Sequence, residues 1–115
     1  MRPLFLCLLI LSAGVARAEI DKPEAVRIAT AKVEKEKYRL ADLALSRVTY
    51  ETKSGNWLYP ESQKGDSANS FRKAVQGKHY WILYWAPANR MAAGGDIAII
   101  LDAADGTLLH IYRGK

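Results

Sequence analysis

The residue types that most often carry chemistry in proteins are sparse in this sequence. His79 and His110 are its two histidines, and both fall in segments that read as strands. A zinc site would need both of them together with one or two carboxylates. Histidines in a sheet are more often ordinary surface or edge residues. We therefore predict no metal site and no cofactor.

The sequence supports a hydrolytic enzyme no more strongly than it supports a metal site. The chain contains serines, histidines and acids, but it lacks the glycine-flanked serine that forms a nucleophile elbow. Glu51 and Glu61 are the pair that could be compared with the two carboxylates of a glycosidase, yet no pattern fixes their separation. We predict a protein without catalytic residues. A periplasmic enzyme is the third alternative after the two binding functions described below.

Asp102, Asp105 and Gly106 form a further group with possible chemistry. Two carboxylates and a glycine also open an EF-hand calcium loop, but that loop continues with more oxygen ligands and ends in a glutamate at its twelfth position. Here the sequence continues as Thr107-Leu108-Leu109, which is typical of a strand. A tight turn accounts for all three residues, because aspartate accepts hydrogen bonds from turn amides and glycine tolerates a positive φ. We interpret the group as a structural turn.

The first 18 residues have the pattern of a secretory signal peptide. Arg2 supplies a positive charge, residues 4–11 are an unbroken apolar run, and Ala16-Arg17-Ala18 places small residues where a signal peptidase reads them. The run is too short to span a membrane, which takes about 20 apolar residues. We predict cleavage after this segment, a periplasmic location and a single domain over residues 19–115.

Loss of this segment changes the composition of the chain. Cys7, the single cysteine, lies inside it, so the mature protein would have no disulfide, thiol chemistry or thiolate metal site. Arg2 and Arg17 are lost as well, which leaves 15 basic residues against 12 acidic ones and lowers the net charge from +5 to +3. Basic residues are densest over residues 32–39, where two glutamates alternate with them, as on a solvated helix face. We predict no nucleic-acid partner and no membrane span.

An amphipathic helix is predicted from about Asp21 to Lys37. Asp21 is a suitable N-cap, Pro23 stands where a missing N–H does no harm, and Glu24 follows at capping-box spacing. Apolar residues then recur at helical spacing, namely Ala25, Val26, Ala29 and Val33. One stripe of this helix should be buried.

The remainder of the chain reads mainly as strands. A hairpin is predicted from residues 43–52 and Trp57-Leu58-Tyr59, with its turn at Ser54-Gly55-Asn56. Residues 60–70 read as a loop, and Phe71 to Gln76 as a short helix stopped by Gly77. Three further strands are predicted over residues 79–86, 97–101 and 107–112. The predicted fold class is α+β, with an N-terminal helix packed on an antiparallel sheet of about four strands.

The helix and the last hairpin together resemble the PepSY-type domains of secreted bacterial proteins. Residues 24–29 read Glu-Ala-Val-Arg-Ile-Ala, and residues 99–109 form a strand–Asp-x-x-x-Gly–strand hairpin. The order of Trp85-Ala86-Pro87, Gly94-Gly95 and the closing hairpin also resembles small periplasmic proteins with a cystatin-like or NTF2-like sheet, some of them toxin-immunity proteins. The resemblance covers the helix and the C-terminal third, and implies protein binding or peptidase inhibition without a catalytic set.

Large side chains stand on both sides of the strand that follows His79. Alternation places Trp81, Leu83 and Trp85 on one face and Tyr80, Ile82 and Tyr84 on the other. A sheet with one solvated face would alternate apolar with polar residues. Two interpretations are open. Either one face displays its aromatics to a partner, or residues 60–76 fold over it and the aromatics are core.

The function that we infer from the sequence is a non-enzymatic periplasmic module that binds another envelope protein or a peptide, as an inhibitor or immunity protein. The candidate binding residues are the aromatic ones: Trp57, Tyr59, Tyr80, Trp81, Tyr84 and Trp85. The alternative is a small-ligand-binding periplasmic protein. In that case Trp57, Tyr59, Trp81 and Trp85 would line a pocket between the sheet and a loop.

Overall fold

Residues 18–36, 38–54, 57–89 and 95–114 are described by the structure, which is a computed structural model. The predicted signal peptide lies outside these residues except for Ala18. Four strands form one antiparallel sheet in the order β1-β2-β3-β4, namely β1 (Leu43–Glu51), β2 (Tyr80–Pro87), β3 (Ile97–Asp102) and β4 (Leu108–Arg113). Helix α1 (Lys22–Lys35) precedes β1, and helix α2 (Asp66–Val75) lies between β1 and β2. The α+β class predicted from the sequence is confirmed.

Helix α1 begins and packs as its sequence predicts. The Asp21 side chain accepts a hydrogen bond from the backbone N–H of Glu24 at 3.0 Å, which satisfies one of the free amides of the first turn. Ala25, Ala29 and Val33 are fully buried. Their small side chains let the helix backbone lie close to the sheet. The helix ends at Lys35, two residues before the predicted end, and a short 3₁₀ turn (Leu40–Asp42) then leads into β1.

Helix α2 is longer than the sequence indicated. It begins at Asp66, inside the segment predicted to be a loop, and its last helical residue is Val75. Three residues at helical spacing form its buried stripe, namely Ala68, Phe71 and Val75. The first turn of the helix is polar, so this stripe was not recognised in the sequence. Gly77 follows in a left-handed conformation, with φ of +71°, as expected for the residue after a helix end.

The hairpin predicted around residues 54–56 is wrong. Residues 55 and 56 lie outside the described residues, and Trp57-Leu58-Tyr59 is not a strand. Instead, β1 pairs with β2, which lies beyond α2. Leu58 and Tyr59 do not pair with β1. They are buried against the sheet, at 8% and 4% exposure, and this burial accounts for the large apolar side chains at these positions.

Each helix covers one face of the sheet. The α1 face consists of residues packed with α1, and its buried strand residues are Leu83, Trp85, Ile97, Ile99 and Leu101. The α2 face consists of residues packed with α2 and with the segment that precedes it, and its buried strand residues are Tyr80, Ile82, Ala98 and Ile100. The central strands β2 and β3 are therefore enclosed on both faces.

Candidate functional site

The six candidate aromatic residues are divided between the two faces. Tyr59, Tyr80 and Trp85 are buried, and Trp57, Trp81 and Tyr84 are half-buried. The alternation of side chains predicted for β2 is present. Helix α2 packs over the second face of the sheet, for which the sequence predicted no definite cover. Of the two interpretations, the structure shows the one in which residues 60–76 fold over the second face. Three of the six side chains are core and the other three pack half-buried against it, so they do not form one exposed aromatic surface.

Two tyrosines of β2, one buried and one half-buried, direct their hydroxyl groups to partners within the domain. The Tyr80 hydroxyl donates to the carbonyl of Lys53, and the Tyr84 hydroxyl donates to the Asp96 carboxylate at 2.7 Å. Burial, followed by the Asp96 interaction, raises the pKa of Tyr84 to about 12. A phenol held protonated in this way supports packing and cannot act as a base near neutral pH.

The Asp102–Gly106 segment forms the turn between β3 and β4. The Asp102 carboxylate accepts from the Ala104 N–H, and the Asp105 carboxylate accepts from the Thr107 N–H, each at 2.9 Å. Gly106 has φ of +80° and donates its N–H to the Asp102 carbonyl at 2.8 Å. One oxygen of each carboxylate is thus occupied by an amide of the turn, which is the geometry expected of a structural turn.

The structure separates the two histidines. His110 lies in β4, where its Nε2 is 3.1 Å from the Tyr59 hydroxyl and its ring packs against Phe71. Burial and then the charge of Arg113 lower the pKa of His110. His79 lies before β2 and contacts Tyr50 of β1. Within the described ranges, no three histidine, cysteine, aspartate or glutamate side chains are grouped to hold a metal ion.

His79 belongs to an exposed polar cluster with Glu19 and Tyr50. The Tyr50 hydroxyl is 2.7 Å from one Glu19 carboxylate oxygen and 2.9 Å from His79 Nδ1. The hydrogen bond to Glu19 raises the pKa of Tyr50, so the phenol is not activated as a nucleophile or base. The cluster instead fastens residue 19 to β1, and Ile20 continues the attachment by accepting from the Trp81 indole N–H at 3.2 Å.

Three clefts on the described residues do not gather the candidate aromatics. The largest of the three has a volume of about 860 Å³ and opens at one end of the sheet, with a lining that includes Glu36, Tyr38, Arg39 and Asp42. A cleft of about 520 Å³ includes Tyr59 together with Tyr112, and one of about 340 Å³ lies beside His79. The predicted pocket lined jointly by Trp57, Tyr59, Trp81 and Trp85 is absent from these three clefts, because those side chains are used in packing on opposite faces.

The exposed apolar surface lies on one edge of the sheet. Strands β1 and β4 are the two edges. Among the described residues, the large apolar side chains that stand exposed are Leu45 and Tyr50, at 40% and 41%, and both belong to β1. An edge strand that carries exposed apolar side chains is a template for pairing with another chain.

A β-bulge brings these two side chains to the same face. The register of β1 against β2 shifts between Leu45 and Arg47, so Ser46 is an extra residue. Leu45 is therefore opposite Trp85, while Val48 and Tyr50 are opposite Leu83 and Trp81. These partners all belong to the α1 face. Because of the bulge, the apolar side chains of β1 lie on the same face, although their spacing in the sequence is irregular. They form one continuous apolar row, namely Leu43, Leu45, Val48 and Tyr50.

The other side of β1 is polar and carries both charge signs. Arg47, Thr49 and Glu51 are opposite Tyr84, Ile82 and Tyr80, which belong to the α2 face. The Arg47 guanidinium lies 4.7 Å from the centre of the Trp57 ring, as a cation–π contact. Thr49 Oγ1 is buried without a hydrogen-bond partner among the described residues.

Sequence reasoning missed this edge because the pattern of β1 is broken. Residues 43–51 read Leu-Ala-Leu-Ser-Arg-Val-Thr-Tyr-Glu, in which the apolar positions change parity at Ser46. A change of parity inside a strand is itself the signature of a bulge. The assignment of β1 to a local hairpin also concealed that one of its edges is unpaired.

Comparison with family models, with curated proteins and with solved structures gave no match. Across the part of the chain that the structure describes, neither helix is both long and apolar enough to cross a membrane.

Proposed function

We propose that this protein is a non-enzymatic binding module of the bacterial envelope, and that it binds polypeptide by adding an extended segment to the open edge of β1. The observation that carries the proposal is the position of the exposed apolar side chains, Leu45 and Tyr50, on one face of an edge strand. An added strand gains main-chain hydrogen bonds along the edge and buries the apolar row.

The shape of the edge defines the chemistry of the segment it receives. One face of the segment must be apolar, because it lies beside Leu45, Val48 and Tyr50. The other face must complement Arg47 and Glu51, because opposite charges directly across a ladder stabilise it and like charges destabilise it. The envelope location and the PepSY-like resemblance both favour a protein partner, but they add no residue to the site.

Site-specific photo-crosslinking tests the proposal. A photoreactive amino acid at Ser46, which is exposed at the bulge, should give covalent adducts with polypeptide in cells that produce the protein. The same amino acid at Lys73, exposed on α2, is the matched control and should not give these adducts. A lysine on an edge strand opposes strand addition, so Leu45→Lys should abolish the adducts at Ser46.

Gln76→Lys provides a second control, because it introduces the same charge at an exposed position away from β1. We expect it to leave the adducts at Ser46 unchanged. The proposal is contradicted if Ser46 gives no adducts, if Ser46 and Lys73 give the same set, or if Leu45→Lys has no effect. Circular dichroism of each variant shows whether the fold is retained.

A further inference from the structure

We propose that the strand received by β1 is the β1 strand of a second copy of this chain, paired antiparallel about a two-fold axis through Thr49. The inference rests on the proposed function of β1 and names its partner. It is carried by the sequence of the regular half of the strand, Arg47-Val48-Thr49-Tyr50-Glu51. That half follows the bulge and is free of register shifts.

The symmetry of such a pair restricts its register. A two-fold axis perpendicular to the sheet keeps the α1 faces of both copies on one side and the α2 faces on the other. Residues directly opposite each other in a ladder share a face, and side chains alternate with a period of two. Within Arg47–Glu51, the axis must therefore pass through a residue and not between two residues.

The register centred on Thr49 is complementary on both faces. On the α2 face, Arg47 of each copy lies opposite Glu51 of the other, which gives two cross-strand pairs of opposite charge. On the α1 face, Val48 of each copy lies opposite Tyr50 of the other, which joins the two apolar rows. The two Thr49 residues lie opposite each other at the axis.

The other centred registers lack this complementarity. An axis through Arg47 places two guanidinium groups opposite each other, and an axis through Glu51 places two carboxylates opposite each other. An axis through Val48 leaves Arg47 opposite Thr49, without an acid. An axis through Tyr50 extends the ladder to place Arg47 opposite Lys53. Like-charge opposition destabilises a ladder, so the charges of β1 select the register centred on Thr49.

In the single chain, the charged side chains of Arg47 and Glu51 are already available for cross-strand pairing. The Arg47 guanidinium lies 4.7 Å from the centre of the Trp57 ring, and a guanidinium held against an aromatic ring retains N–H groups that can donate to a carboxylate. Glu51 forms no ion pair within the described ranges. Helix α1 packs over β2 and β3. On the apolar row of β1, Leu45 and Tyr50 are exposed and can contact a second copy, whereas Leu43 and Val48 are half-buried.

Sedimentation velocity over a range of concentrations tests the inference. The purified protein should show a concentration-dependent dimer. Arg47→Glu and Glu51→Arg should each weaken the dimer about tenfold or more, because each turns two opposite-charge pairs into like-charge pairs. The double variant Arg47→Glu/Glu51→Arg should dimerise as the parent does, since its charges are exchanged but again complementary.

Mixing the two single variants gives the sharpest result. One copy then carries glutamate at both positions and the other carries arginine at both, so an equimolar mixture should form the dimer that neither variant forms alone. Lys73→Glu, a charge reversal on α2, should have no effect. Thermal unfolding of each variant establishes that the fold is retained.

Three results would overturn the inference: a monomer at every concentration, a dimer insensitive to both single variants, or failure of the mixture to associate. If adducts at Ser46 persist while self-association is absent, the partner is a different polypeptide and the proposed function stands. If the Ser46 adducts and self-association are both absent, the proposed function fails as well.

Discussion

The two edges of the sheet are built in opposite ways. Strand β4 is covered by α2. Its Leu109 and Tyr112 are half-buried on the α2 face, and its Leu108 and Ile111 are half-buried on the α1 face. Strand β1 has neither cover over most of its length, and its exposed positions include apolar ones. The comparison shows that the apolar side chains of β4 are packed on both faces, whereas those of β1 include exposed ones, and for this reason the proposed strand pairing is placed at β1.

The largest effect should follow from removing the cover of β4. Phe71 is fully buried in α2, and its ring centre lies 5.2–5.8 Å from those of Tyr59, Tyr80 and His110. Phe71→Ala should lower the free energy of unfolding by about 3–5 kcal/mol, because it leaves a cavity between helix and sheet. Urea denaturation followed by circular dichroism measures the loss. A loss below about 1 kcal/mol would show that α2 does not hold this edge.

A smaller loss is expected at the turn that brings β4 to the sheet. A Cβ at Gly106 would lie 2.6 Å from Ile28 Cδ1, whereas a Cβ at Gly77 would have no neighbour within 4 Å. Both glycines have positive φ, so alanine at either position costs about 1–2 kcal/mol of backbone strain. Gly106→Ala should be the more destabilising by about 0.5–1 kcal/mol, since the end of the half-buried Ile28 side chain must also shift to admit the new Cβ. Equal melting temperatures of the two variants would exclude the contact.

The covered edge should also be sensitive to pH. Burial lowers the pKa of His110 below its ordinary value of 6.5, so at lower pH the unfolded chain binds a proton more readily than the folded one. This contribution to stability is complete above about pH 6.5 and is lost as the pH falls through the folded pKa. His110→Gln should flatten the dependence of unfolding free energy on pH below about pH 6.5. An unchanged slope would contradict the assignment.

The smallest effect on stability is expected on the open edge. Leu45 is 40% exposed, so Leu45→Ser should change the free energy of unfolding by no more than about 0.5 kcal/mol. Self-association should nevertheless decrease, because the apolar row is interrupted. Urea denaturation and sedimentation velocity on the same preparation measure the two quantities. A large loss of stability would show that Leu45 is already covered within the domain.

The elements governed by local chemistry were predictable from the sequence. The Asp21 cap and the spacing of Ala25, Ala29 and Val33 identify α1, and the Asp102–Gly106 turn identifies the β3–β4 hairpin. The alternation of β2 was also correct. Each of these signals is contained within a few consecutive residues, so it does not depend on the rest of the fold.

The elements that depend on distant partners were missed. Trp57-Leu58-Tyr59 has the composition of a strand, but its burial is provided by α2 and β2. The start of α2 at Asp66 was hidden by polar residues, although the spacing of Ala68, Phe71 and Val75 was available as a signal. The pairing of β1 with β2 could not be derived locally, because it joins strands separated by residues 52–79.

The separation of β1 from β2 along the chain also bears on the order in which the sheet folds. The β2–β3 and β3–β4 ladders close over residues 88–96 and 103–107, whereas the β1–β2 ladder must close over residues 52–79, which include α2. Closing a longer loop costs more entropy, and β1 has neighbouring strands on one side only. We expect β1 to join the sheet last and to detach first. Its amides should therefore exchange with solvent deuterium while those of β3 remain protected.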